Sequence, residues 1–115
     1  MAPVWRVRDR ATFTPLRAGR RGHAGPVRVT WVPEDDAERP PRVAYAVGRR
    51  VGSAVARNRV RRQLRAAVAE LAPDLHPGAY LVAYRGERDV PFAELRPHVA
   101  AAATSAGARS SGGRP

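Results

Sequence analysis

Apolar and polar residues alternate along Val27-Arg28-Val29-Thr30-Trp31-Val32, which predicts a β-strand. Val27, Val29 and Trp31 share one face of it, Arg28 and Thr30 the other. Arg42-Val43-Ala44-Tyr45-Ala46-Val47 repeats the pattern, with Val43, Tyr45 and Val47 on one face. After a basic turn, Gly48 to Ser53, the period changes from two to about 3.6. Val60, Leu64, Ala67, Val68 and Leu71 then form one apolar stripe, predicting a long helix from about Ala54 to Leu71. Pro73, Pro77 and Gly78 end it. The nearly unbroken apolar run Ala79 to Tyr84 reads as a central strand. Pro91 introduces a final helix, Phe92 to about Thr104, with Phe92, Leu95, Val99, Ala102 and Ala103 facing inward. Trp31, Tyr45, Tyr80 and Tyr84 fall on these apolar faces and read as core.

Other stretches carry a weaker pattern. Residues 1–8 are short, basic and extended. Asp9 or Thr12 offers a cap for a short first helix reaching about Ala18, which Pro15 delays or breaks. Gly19 to Gly25 is a connector with room for a short edge strand, and Pro33 to Pro41 is a Pro-rich loop carrying Glu34, Asp35, Asp36 and Glu38. From Ser105 to Pro115 only Ser, Gly, Ala, Arg and Pro remain, which predicts a disordered tail after a single domain spanning residues 1–104. The order is α-β-β-α-β-α with a possible extra strand after the first helix. Strand, helix and strand across residues 42–85 suggest a βαβ unit within an α+β sandwich.

Charge narrows the function. All twenty-one basic residues are arginine, against ten acids, for a formal net charge of +11. Planar, weakly hydrated guanidinium groups grip two phosphate oxygens at once, so a polyanion is the expected partner. The chain has no cysteine, which excludes disulfides and thiolate metal sites. No apolar run approaches the roughly 20 residues that span a bilayer, and Met1 to Arg6 lacks a secretory pattern. The expectation is a cytoplasmic protein with no membrane partner. No spacing suits a metal site or a catalytic constellation, so no catalytic residue is assigned.

The long helix concentrates the charge. Taking Arg57 as zero and stepping 100° per residue, Arg61, Arg65, Asn58 and Arg62 fall between about 40° and 140°, beside the apolar stripe centred near 320°. Arg59 lies further round, near 200°. Arg49 and Arg50 extend the field ahead of the helix. From Arg42 to Arg65 there are eight arginines and no acid. A solvated surface helix normally mixes signs, and like charges at i,i+4 weaken it by a few tenths of a kcal/mol per pair. A face built to hold phosphates has a use for that arrangement.

Residues 42–65, running Arg-Val-Ala-Tyr-Ala-Val-Gly-Arg-Arg-Val-Gly-Ser-Ala-Val-Ala-Arg-Asn-Arg-Val-Arg-Arg-Gln-Leu-Arg, resemble the signature of the bacterial ribonuclease P protein family. The family pattern is a strand, a basic turn, Gly-Asn-Ala-Val, then Arg-Asn-Arg-x-Lys/Arg-Arg-x-x-Arg on a helix. This chain has Ser53 where the family usually has Asn. The likeness extends more loosely over residues 6–104. It implies a single-domain α-β-β-β-α-β-α fold akin to the second domain of ribosomal protein S5, with a left-handed βαβ crossover that sequence physics alone does not suggest. It implies partnership with the catalytic ribonuclease P RNA, which, with Mg²⁺ bound mainly by the RNA, removes the 5′ leader of precursor tRNA. Arg49, Arg50, Arg57, Asn58, Arg59, Arg61, Arg62 and Arg65 are then the RNA-contacting set. Phe13, with Arg6 and Arg17, belongs to a cleft between the first helix and the sheet that holds the single-stranded leader. The family's second aromatic there is replaced by Leu16 or Arg17.

Three other readings compete. A structural binder of ribosomal RNA suits the charge but not the ordered Arg-Asn-Arg motif. A DNA-binding recognition helix normally follows another short helix, whereas a strand and a turn precede this one. A self-sufficient nuclease needs clustered carboxylates, and Asp35, Asp36 and Glu38 sit in a loop where they balance charge.

Overall fold

The computed structural model describes residues 5–6, 19–34, 40–88 and 90–109. Its strands are β1 (Trp5–Arg6), β2 (Arg20–Ala24), β3 (Val27–Pro33), β4 (Arg42–Val47) and β5 (Gly78–Tyr84). Its helices are α1 (Ala54–Leu71) and α2 (Phe92–Ser105). The first helix expected from the sequence, with Phe13 and Arg17, lies outside the described residues.

β4, β5, β3 and β2 form a mixed four-stranded sheet, to which β1 adds a two-residue fifth strand beside β4. β4 and β5 run parallel and are joined through α1, the βαβ unit anticipated from residues 42–85. β3 pairs antiparallel with both β5 and β2. The short edge strand foreseen in the Gly19–Gly25 connector is β2. The pairing of Trp5 and Arg6 with Arg42 and Val43 was not foreseen, since two residues carry no periodicity.

Register puts the large side chains together. Val29 stands opposite Val82, Val27 opposite Tyr84 and Trp31 opposite Tyr80, while Val43, Tyr45 and Val47 align with Tyr80, Val82 and Tyr84. Both helices pack on this face and against each other, α1 over β4 and α2 over β2 and β3. Val60, Leu64, Ala67 and Val68 of α1 and Leu95, Val99, Ala102 and Ala103 of α2 are buried there. Gly22 makes the close approach of α2 to β2 possible, since a Cβ on it would lie 2.2 Å from the Ala102 carbonyl oxygen. The opposite sheet face carries Arg28, Thr30, Ala44, Ala46, Leu81 and Ala83.

One expectation needs correction. Residues 105–109 are not a disordered tail. Ser105 closes α2, and Gly107 comes next but one at φ 82°, the left-handed conformation that glycine adopts without steric cost. Its N–H donates to the Thr104 carbonyl and that of Ala108 to the Ala103 carbonyl, both at 3.0 Å, the two bonds of a Schellman motif. Ala106 and Ala108 are buried, and the Ala108 carbonyl accepts from the His76 N–H at 2.8 Å. Small apolar residues at a helix end thus joined the core despite their low-complexity composition. Residues 110–115 lie outside the described set.

Candidate RNA interface

Strand β4 carries the chain to a 3₁₀ turn, Arg49–Val51, in which Val51 is buried and Arg49 and Arg50 are exposed. Ser53 then caps α1, its side-chain oxygen accepting from the Ala56 N–H at 3.2 Å. Serine can therefore stand where the family usually has asparagine, because both side chains present an oxygen to the first orphan N–H groups. No acidic residue occupies the first turn of α1, so nothing on that turn neutralises the positive end of its dipole.

Within α1 the arginines take two sides. Arg57 donates from Nη1 to the Gly52 carbonyl at 3.0 Å, and Arg61 donates from Nη1 to Asn58 Oδ1 at 3.0 Å. The Arg65 guanidinium carbon lies 5.7 Å from the ring centroid of Tyr45 on β4, a cation–π arrangement. These contacts preorganise the guanidinium planes along the flank nearest β4. Arg59 and Arg62 lie on the other flank, toward α2, where with Gln63, Ala66 and Phe92 they line an open pocket. The helical projection placed Arg62 with the first group; the docking of α2 decides its neighbours instead.

Beyond the turn, Arg49 and Arg50 meet a residue that sequence reasoning missed. Arg85 succeeds β5, its N–H donating to the Pro26 carbonyl at 2.7 Å. Together with Ala46, Gly48, Ala83, Tyr84 and Gly86 these arginines line an open groove of about 500 Å³ at the carboxyl ends of the parallel pair β4 and β5. A lone arginine after a strand gives no motif; the parallel register, Ala46 beside Ala83, brings it to Arg49 and Arg50. Glu87 lies 3.9 Å from Arg50 with both side chains exposed, a pair that contributes little.

The leader set is less fully placed. Arg6 pairs through its backbone with Val43, and Phe13 and Arg17 lie outside the described residues. Trp31, Tyr80 and Tyr84 are core, 6%, 1% and 2% exposed, and Tyr45 is half-buried beneath Arg65. Among the described residues, no three of His, Asp or Glu converge as metal ligands, and no helix is long and apolar enough to cross a membrane.

The fold and site define a small α+β protein that carries an arginine-rich helix and turn on its surface. A family model described as Ribonuclease P matches residues 1–107. The ribonuclease P protein component of Symbiobacterium thermophilum is 40% identical over 101 residues, covering 86% of this chain and 88% of that one. The chain spans about half to two thirds of the length of several other relatives so named. Among solved structures, the ribonuclease P protein from Staphylococcus aureus superimposes with a TM-score of 0.78 at 17% identity, over 96% of this chain and 95% of that one. That from Thermotoga maritima gives 0.70 at 20% identity, over 83% and 91%. At these identities the structural likeness speaks to the fold alone. The chain belongs to the ribonuclease P protein family.

Proposed function

We propose that this chain is the protein subunit of a bacterial ribonuclease P, binding the catalytic RNA and the 5′ leader of precursor tRNA in the cytoplasm. The observation that carries the reading is the run of eight arginines without an acid from Arg42 to Arg65, folded largely onto one helix and the turn before it. Phosphate contacts of this kind position a protein on RNA, and the Asn58 amide suits a ribose hydroxyl or a base edge.

The chain's own residues suit binding better than hydrolysis. Among the described residues, Glu34, Glu70 and Glu87 each sit beside a different arginine, and no three of His, Asp or Glu converge where Mg²⁺ could share their oxygens. The ion belongs in this reading to the RNA, where it supplies the chemistry of phosphodiester cleavage. The protein supplies positive charge that lowers the repulsion between substrate and catalytic RNA. Phe13, Arg6 and Arg17 hold the leader, with Phe13 stacking on an unpaired base. The sheet face bearing Arg28, Ala46 and Ala83 suits the floor of that cleft, its small residues leaving room for a strand of RNA.

The test is reconstitution with a ribonuclease P RNA and a leader-bearing precursor tRNA at low Mg²⁺. Added protein should raise the rate of leader removal; no increase with folded protein contradicts the assignment. Phe13→Ala should weaken precursor binding by about 1–3 kcal/mol on a long leader and less on a leader of one or two nucleotides. An equal loss on both leaders removes Phe13 from the cleft. A structural ribosomal-RNA binder predicts no effect on cleavage at all.

A further inference from the structure

The flank of α1 toward α2 carries chemistry that a phosphate-binding face does not need. Arg59, Arg62, Gln63 and Ala66 line an open pocket of about 300 Å³, with Phe92, the first residue of α2, facing them. Ala66 is an exposed methyl group, and its small size leaves the space open. One turn further along both helices the seam closes, where Arg96 Nη1 donates to Glu70 Oε1 at 3.0 Å. The pocket is therefore bounded at one end by an ion pair and edged at the other by guanidinium groups.

Two details point to an occupant. Gln63 Oε1 is buried and has no hydrogen-bond partner, so that oxygen gains one if it meets a donor. The terminal torsion of glutamine is soft, and a donor in the pocket turns that oxygen outward at little cost. Phe92 packs partly on the core, yet it also lines the pocket, leaving apolar ring surface beside two arginines. Anchoring the start of α2 accounts for the buried part of the ring. It does not account for the Gln63 amide and the Arg62 guanidinium beside the rest.

We propose that this pocket binds one unpaired nucleobase of the RNA partner, adenine by preference. The base stacks on Phe92, the Gln63 amide meets its edge, and Arg62 holds the adjoining phosphate. A glutamine amide matches the N6 donor and N7 acceptor of adenine, and aromatic side chains with guanidinium groups are the usual supports for splayed RNA bases. The inference rests on the reading of this chain as an RNA binder and adds to it a place where sequence is read.

The test uses the full chain, ¹⁵N-labelled, titrated with AMP, UMP and ribose 5-phosphate and read at the Gln63 side-chain amide and the Phe92 backbone amide. AMP should shift both signals at least about threefold more than either other ligand, as a pocket built for a stacked base requires. Ala66→Leu, which fills the space without removing a charge, should abolish that response while leaving the thermal midpoint unchanged. Equal shifts with AMP and ribose 5-phosphate, or an AMP response that survives Ala66→Leu, overturn the proposal. In holoenzyme assembly, Ala66→Leu should weaken affinity for ribonuclease P RNA about tenfold, within the range of one stacked base. Its salt dependence should stay unchanged. Unaltered affinity overturns the pocket and leaves the arginine face standing, whereas wild-type chain that fails to bind the RNA overturns the RNA reading itself.

Discussion

Tyr80 sits at the centre of the sheet, 1% exposed, stacked near Trp31 with ring centroids 6.3 Å apart, its hydroxyl donating to the His76 carbonyl. Burial raises its pKa well above the ordinary tyrosine value, because the phenolate has no solvation there. The neutral form is thus favoured by the fold. Its contribution is fully present below the unfolded value near pH 10 and is lost as pH rises above it. Chemical denaturation should show stability falling between about pH 10 and pH 11, and Tyr80→Phe should reduce that slope. At neutral pH the same variant should cost about 1 kcal/mol, the usual net value of a hydrogen bond whose acceptor loses its donor. A variant with unchanged neutral stability and an unchanged alkaline slope removes Tyr80 from this role. At the same scale, the arginines were readable in the sequence as a one-sign series, but their division was not. Which flank of α1 meets Tyr45 and which meets Phe92 depends on where β4 and α2 dock, and no local spacing encodes that. Phe92 read simply as core for the same reason.

Among the elements, α2 departs furthest from what its sequence suggests. Leu95, Val99, Ala102 and Ala103 announced its inward face, and the period carries the helix to within a residue of its observed end. The docking of Ala106 and Ala108 just past that end was hidden by composition. Gly107 after a periodic run is a helix-stop signal, but the bond from His76 to Ala108 joins residues far apart in the chain. Truncation after Thr104 removes the Schellman bonds and the buried Ala106 and Ala108, and should lower stability by about 1–3 kcal/mol. Removing only residues 110–115, whose Ser/Gly-rich composition offers no apolar anchor, should leave the thermal midpoint unchanged. Equal midpoints for the two truncations contradict a docked helix end. The seat of α2 on β2 gives a second check. Gly22→Ala places a methyl group against helix backbone, at 2.2 Å from the Ala102 oxygen and 2.4 Å from the Ala106 nitrogen. Neither atom belongs to a side chain that can swing away. The cost should be about 1–3 kcal/mol by urea denaturation, the range for overpacking a core.

At the scale of the whole molecule, α+β class, strand faces and the βαβ unit were all legible, because period two and period 3.6 differ sharply in this chain. The strand order β1-β4-β5-β3-β2 was not, since long-range pairing leaves no local trace. The same holds for Arg85, which joins Arg49 and Arg50 only through that order. A molecule with a net charge of +11 and its densest arginine run folded onto one helix and turn should bind RNA chiefly through phosphates. Such binding releases condensed counterions, so its affinity falls with salt in proportion to the phosphates neutralised. The decisive measurement is the affinity of the chain for ribonuclease P RNA across a salt series, for wild type and for Arg57→Ala/Arg61→Ala/Arg65→Ala. Wild type should give a log–log slope of about −4 or steeper, and the triple variant a slope flatter by about two or more, with an unchanged fold by circular dichroism. A wild-type affinity that barely changes between low and moderate salt, or a triple variant with the wild-type slope, would contradict the claim that this helix is the RNA-binding face.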